Sequence, residues 1–380
     1  MKHRPAAPQE PRTSAHGAKG CASSARLALV MIVRDEARCI ARCLASALPW
    51  VDEAIVLDTG SRDATPQIAR ACGAVVHHAQ WRDDFAAARN AALAFARAPW
   101  RLVLDADEWL EEGAGAVLRE ACAGESAIGL LRVTSQLDGA AGTDTPSWLP
   151  RLLPRGVHYA GRIHEQPVSV LPRRRLAAGI VHDGYLAPQQ QAKRGRNERL
   201  LRMELAAQPM DAYLHYQLGK DLELQGRFGE ALPHYADALA SVAPNAAWRH
   251  DLVLRRLYTL KCAQSFEAAL ALAEAEMPHW QHSPDFFFTL GDLLLDWALH
   301  APQRAGELLP MIEASWLRAI EIGEQPALND SVRGRGSFLA AHNLAAFHAS
   351  LGHEAAAQRW ARQAAALRDA APALAGAAAD

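Results

Sequence analysis

The chain has 380 residues, half of them hydrophobic, and a formal net charge of −2. That length allows two domains with separate cores, and the near-neutral balance excludes a global pull toward nucleic acid or an anionic membrane, so any anion recognition is local. Cys21, Cys39, Cys43, Cys72, Cys122 and Cys262 show no zinc-like spacing. Cys39 and Cys43 fall on one helix face as core thiols, and a reducing cytoplasm fits this usage. Residues 1–25, rich in Pro, Ala, Arg and Ser, read as a disordered tail rather than a signal peptide. No run of about 18 apolar residues predicts a membrane span, although a soluble chain can still work peripherally at the inner membrane face.

From residue 26 to 193, strand and helix signals alternate. Leu27 to Val33 is a buried strand bounded by charge, followed by a helix from Ala37 to Ala47 that Pro49 closes. Ala54 to Leu57 is a second strand, with a helix from Ala64 to Cys72 ending at Gly73. Ala74 to His77 and Trp100 to Leu104 are further strands, with a helix over about Asp84 to Arg97 between them. This alternation predicts an α/β domain with a parallel, doubly wound sheet, and such sheets bind ligands beyond the carboxyl ends of their strands. The rule selects Arg34 to Glu36, Asp58 to Asp63 and Asp105 to Glu108.

Residues 194–380 read as helix throughout, with repeats. Ala212 to Asn245 fits the tetratricopeptide pattern of about 34 residues through Leu218, Gly219, Leu222, Gly226, Phe228, Ala231, Tyr235, Ala238 and Pro244. Phe338 to about Asp369 is a weaker copy, and segments from His250 and Pro284 are degenerate ones. A lone repeat cannot bury its faces, so the copies predict an all-α array.

Asp105-Ala106-Asp107 is the sharpest chemical signal. Carboxylates at i and i+2 point the same way if the backbone stays extended, and they suit a hard divalent cation that completes its shell with phosphates. The bland alternative is an acidic turn before a helix. In Asp58-Thr59-Gly60-Ser61-Arg62-Asp63, Gly60 permits a tight turn and Asp63 can cap the next helix. Asp58 precedes the turn and can face the crevice, accepting hydrogen bonds from a nucleobase or a ribose.

Six blocks in this order resemble family 2 glycosyltransferases of the GT-A fold, in the branch that carries C-terminal tetratricopeptide-like repeats. They are Met31 to Glu36, Ile55 to Thr65, Asp84 to Asn90, Leu104 to Glu108, Arg162 to Gln166 and Val181 to Tyr185. The branch is similar to bacterial lipopolysaccharide-core and peptide glycosyltransferases. The resemblance implies a metal-dependent, inverting transfer from a nucleotide sugar, a UDP-sugar foremost, with Mn²⁺ or Mg²⁺ as cofactor. It places Asp58, Arg34 and Asp35 around the base, Arg89 near the nucleotide or bracing the Asp-x-Asp loop, and Asp105 by the ribose or metal. Asp107 and His182 would bind the metal, and Glu165 would be the general base. Against these stand plainer roles: a surface arginine for Arg89, a structural histidine for His182, and a Glu165 that pairs with Arg162 or orients His164. Asp183 is the next carboxylate, with a turn role before Gly184, and Arg173-Arg174-Arg175 reads as a solvated turn.

Two other functional classes fit the sequence less well. An inactive transferase domain used as a repeat-based scaffold is disfavoured by the presence of both Asp105 and Asp107. A nucleotidyltransferase would carry a Gly-rich basic loop after its first strand, where this chain has Arg34-Asp35-Glu36. The array suggests a peptide, protein or glycan acceptor, or a homodimer.

Overall fold

The computed structural model describes residues 26–135, 146–183 and 195–370. The 1–25 tail, Gly184, Tyr185 and the boundary expected at 193/194 lie outside them. In chain order the first half comprises β1 (Leu27–Val33), α1 (Ile40–Ala47), β2 (Glu53–Asp58), α2 (Thr65–Ala71), β3 (Val75–His78), α3 (Phe85–Phe95) and β4 (Trp100–Val103). There follow β5 (Glu108–Leu110), α4 (Ala114–Ala123), β6 (Ile128–Ser135), β7 (Pro146–Pro154), β8 (His158–Ala160), β9 (Gln166–Val168) and β10 (Arg173–His182).

Eight strands form one sheet in the order β3-β2-β1-β4-β7-β6-β10-β5. The first four are parallel; β1, β2 and β4 are buried and largely apolar as central strands, and β3 is the exposed edge. Beyond β4 the sheet is mixed, within the mostly parallel arrangement expected of it. β7 runs antiparallel to both β4 and β6, β10 is parallel to β6, and β5 is antiparallel to β10. The result is a GT-A-like mixed sheet in which parallel pairings predominate. Both faces are covered: Leu27, Leu29 and Met31 pack with Ile40, Leu44 and Leu118, while Ala28 and Val30 pack with Ala92 and Leu93 of α3. Arg173, Arg174 and Arg175 open β10 instead of forming a turn. Arg174 pairs with Glu125, and Arg175 lies over Trp148.

Helices continue from α5 (Arg196–Ala207) through α6 (Ala212–Leu224), α7 (Phe228–Ser241), α8 (Arg249–Cys262), α9 (Phe266–Glu276), α10 (Pro284–His300), α11 (Ala305–Ile322), α12 (Phe338–Ser350) and α13 (Glu354–Ala370). From α6 onward they pack as successive hairpins. Gly219 shows why the repeat needs a small residue: a Cβ there would lie 2.5 Å from the Tyr235 ring, and at Gly291 it would lie 2.5 Å from the Trp316 indole. None of the described helices is long and apolar enough to cross a membrane.

α5 seals the sheet domain against the array. Its Leu200 and Leu201 are fully buried in a cluster with Ile163, Trp81, Phe85 and Tyr216, and Arg199 pairs with Asp83 at 2.7 Å. A fragment ending at residue 193 would uncover that face. Exposing Ile163 alone costs roughly 1.5–3 kcal/mol, which corresponds to about 3–12 °C in Tm for a domain of this size. Calorimetry of fragments ending at 193 and at 207 is expected to show that deficit in the shorter one. Equal Tm values would mean that α5 is dispensable to the sheet domain.

Candidate active site

The site is built at the carboxyl ends of β1, β2 and β4, where the strands stop and their loops converge. Asp58 is the last residue of β2 and is buried. It does not project into open space. Its carboxylate accepts from the backbone N–H of Gly60 and Ser61 at 3.2–3.3 Å and meets Nδ1 of His78 at 3.2 Å. Arg70 contacts Nε2 of the same imidazole at 2.7 Å; with Arg70 as donor there, Nδ1–H is the nitrogen that donates to Asp58. Gly60 has φ +109°, a backbone that L side chains rarely adopt, so glycine is required for this turn. Asp35 also has positive φ, at 57°. Its carboxylate accepts from Arg62 N at 2.7 Å while its own N–H donates to Ser61 Oγ at 2.9 Å, which ties the β1 and β2 loops together. Arg34 flanks it 3.8 Å away. Asp63 fastens the start of α2, accepting from Thr65 N and also from Ala37 N of the first loop.

The Asp-x-Asp segment is a turn, not an extended strand end. Glu108 N–H donates to Asp105 C=O at 3.1 Å, and this closure sends the two carboxylates in different directions. Asp105 accepts from Arg89 Nη2 at 2.8 Å and from Arg151 Nη2 at 3.0 Å. Asp107 instead lies 3.3 Å from Nε2 of His182. β10 delivers that histidine, since the β10–β5 ladder sets His182 opposite Glu108 and Asp183 N–H donates to Asp107 C=O. Buried Glu108 accepts from Arg151 Nη2 at 2.5 Å, and its other oxygen accepts from Asp105 N. It is therefore an internal brace of the loop.

Glu165 reaches this cluster through a clamp on α3. Asp84 caps the helix by accepting from Ala87 N at 2.8 Å. Asn90 exchanges two hydrogen bonds with the backbone of Tyr159 in β8, at 2.8 and 2.9 Å. The loop before β9 is docked by Phe85 N–H on Arg162 C=O, and it turns through Gly161 at φ +95° and His164 at φ +51°. Glu165 then ion-pairs with Nε of Arg89. Arg162 goes elsewhere, to Asp83 C=O and Glu204, so the plainer alternative of an Arg162–Glu165 pair does not occur. Arg89 is correspondingly no surface arginine. It is buried and links Glu165 to Asp105, while its Nη1 has no hydrogen-bond partner.

Charge and burial oppose each other throughout this network. Burial works against a charged Arg89, but Asp105 and Glu165 more than reverse it and hold the guanidinium well above its ordinary pKa. Burial likewise works against ionised Asp105, and Arg89 and Arg151 hold it far below the usual carboxylate range. Burial pushes Glu108 up, with Arg151 opposing. His182 is raised: burial lowers it, and the bond to Asp107 more than offsets that. Burial pushes His164 down to about 4, so it is neutral. Asp183 is tied by both Arg38 and Arg42, which together hold it below the usual range, and Arg42 in turn lies 3.5 Å over the Trp109 ring.

The residues present accommodate a divalent cation in one respect. Ligand atoms 3.3 Å apart on Asp107 and His182 approximate neighbouring corners of an octahedron with bonds of about 2.1 Å. Asp105, Asp107 and His182 do not form a tight trio: among the described residues the one trio with all ligand atoms within 4.8 Å is elsewhere.

Arg151 is the residue that sequence reasoning passed over. It sits on β7 within Leu149-Pro150-Arg151-Leu152-Leu153, and a charge inside an apolar strand has to be paired if that strand is buried. That signal was available, but its partners, 43 and 46 residues away, were not.

Residues 28–154 match the family model for glycosyl transferase family 2. A TPR repeat-containing protein of Synechococcus elongatus is 40% identical over 250 residues, covering 61% of each chain. The SPbeta prophage-derived glycosyltransferase SunS of Bacillus subtilis is 26% identical over 257 residues, covering 60% of each. The chain thus spans about three-fifths of the length of the curated relatives it matches. Among solved structures, glucosyl-3-phosphoglycerate synthase from Mycobacterium tuberculosis with Mn²⁺ and UDP-glucose is 24% identical, with a TM-score of 0.25 over 30% of this chain and 44% of that one.

Proposed function

We propose, for a chain that carries a glycosyl transferase family 2 domain over residues 28–154, a metal-dependent, inverting transfer of a sugar from a UDP-type nucleotide donor to a peptide, protein or glycan acceptor. The observation that supports this most is the buried relay Glu165–Arg89–Asp105–Arg151 beside the Asp107–His182 pair. In this reading Asp58, Arg34 and Asp35 frame the base, and Asp105 turns its remaining lone pairs toward the ribose. Arg89 and Arg151 fix Asp105 so that little reorganisation is needed when the donor arrives. Asp107 and His182 are the residues that would hold Mn²⁺ or Mg²⁺. When bound, the ion offsets charge gathering on the departing diphosphate. Arg89 holds Glu165 through Oε1, leaving Oε2 to take the acceptor's proton as its oxygen attacks the anomeric carbon from the opposite side. The domain division is part of the same reading, with a donor-binding unit over 26–193 and the array from 194 presenting the acceptor.

A panel of nucleotide sugars with Mn²⁺, read out as released nucleotide, tests the proposal. At least one donor is expected to turn over, excess chelator to abolish turnover, and Mn²⁺ or Mg²⁺ to restore it. Asp107→Ala is expected to lower the rate by about 10²-fold, since it removes a charged ligand. Full activity in excess chelator would remove the metal from the mechanism, and silence across the panel would favour the scaffold reading.

A further inference from the structure

The first helical hairpin of the array holds a second group of metal-ligating side chains. Its hairpin partners bring together His215 from α6 with His234 and Asp237 from α7, all ligand atoms lying within 4.8 Å of one another. His234 and Asp237 are three residues apart, so they share one face of α7. Nδ1 of His215 lies 3.0 Å from Nδ1 of His234 and 3.6 Å from Oδ2 of Asp237. For a tetrahedral zinc ion with bonds of about 2.0–2.2 Å, ligand atoms sit about 3.3–3.6 Å apart. The two spacings from His215 bracket that figure.

The tautomer is set as well. His215 Nε2 lies 3.0 Å from the carbonyl oxygen of Pro209. A carbonyl only accepts, so Nε2 carries the proton and Nδ1 of neutral His215 presents its lone pair to the cluster. A ligating histidine commonly has its second ring nitrogen anchored in this way. His234 is held below its ordinary pKa by burial and by His215, which keeps a neutral imidazole available near neutral pH. Asp237 is exposed at the rim and supplies the negative charge. The nearby cation Arg202 is engaged by Glu198 at 2.8 Å.

We propose that His215, His234 and Asp237 form a zinc site that clamps α6 to α7, with water as fourth ligand. Without metal, His234 donates Nδ1–H to His215, and on binding the His234 ring carries its proton on Nε2 instead, so this exchange of tautomer itself releases no proton. The site is independent of the transferase chemistry. It would stiffen the hairpin whose Tyr213 hydroxyl lies 3.3 Å from Gln166 Nε2, next to Glu165. The competing account is a plain imidazole–imidazole hydrogen bond, which needs no metal.

Untagged, metal-stripped full-length protein is titrated with Zn²⁺ by calorimetry and with Co²⁺ by visible absorption, in parallel with His234→Ala, Asp237→Ala and Asp107→Ala. The expected result is a tetrahedral Co²⁺ spectrum at one ion per chain that Asp107→Ala retains. In His234→Ala and Asp237→Ala, Zn²⁺ affinity at that site is expected to fall by about 10²-fold or more. Asp237 is on the surface, so its variant is expected to keep the wild-type far-UV circular dichroism even if His234→Ala perturbs the hairpin. Absence of the tetrahedral spectrum, or its retention in Asp237→Ala at wild-type affinity, would overturn the proposal. Loss of the spectrum in Asp107→Ala alone would assign the ion to the sheet-end site and equally overturn it.

Discussion

Replacing Glu165 with glutamine is expected to leave nucleotide-sugar affinity near wild type and to lower turnover by about 10²- to 10⁴-fold. The reason is specific to the geometry. Glutamine keeps an oxygen that can accept from Arg89 Nε, so the Glu165–Arg89–Asp105 arrangement can persist. What is lost is the capacity to take a proton. Glu165→Ala would confound the two effects by leaving buried Arg89 short of a carboxylate. His182→Ala provides the contrast, because higher Mn²⁺ is expected to recover part of its activity, whereas no metal concentration rescues Glu165→Gln. Steady-state kinetics with a true acceptor, alongside donor binding by calorimetry, separates these outcomes. Wild-type turnover in Glu165→Gln would remove this residue from the chemistry. Asp183 would then be a poor substitute, since Arg38 and Arg42 already hold it.

Arg151→Met is expected to destabilise the protein by about 3–5 kcal/mol, the usual cost of removing one partner from a buried ion pair. Glu108 would be left almost fully buried without its guanidinium, and Asp105 would lose one of its two. The double variant Arg151→Met/Glu108→Gln is expected to regain about half of that loss, because the stranded charge is gone while Gln can still accept from Asp105 N. Urea titration of the four proteins in the cycle gives the coupling directly. Additive costs would show that Arg151 and Glu108 do not act as a pair. Activity of the double variant is expected to stay low even where stability returns, since Asp105 would be anchored by Arg89 alone.

How much of this was legible beforehand differs by kind of feature. The strands from Leu27, Ala54 and Trp100 and their helices could be read because both faces of this part of the parallel sheet are buried, which writes a continuous apolar run into the sequence. The repeats could be read because Gly219 and Tyr235 have to fit one another locally. β5 to β10 were not resolved in advance. Their strands pair antiparallel as well as parallel, several are only three residues long, and the arginines opening β10 resemble a solvated turn.

The sequence by itself set Asp58, Asp105 and Asp107 just past apolar strand runs, whereas Glu165 and His182 were marked only by the family resemblance. Which of them touch was decided only in three dimensions. A turn closed between Asp105 and Glu108 divides two carboxylates that an extended backbone would have aligned. An arginine on α3 and another on β7 then claim Asp105, while the last residue of β10 meets Asp107. Burying a charge is costly unless an opposite charge meets it. The sequence shows the charges, but loop closure over tens of residues selects the partners.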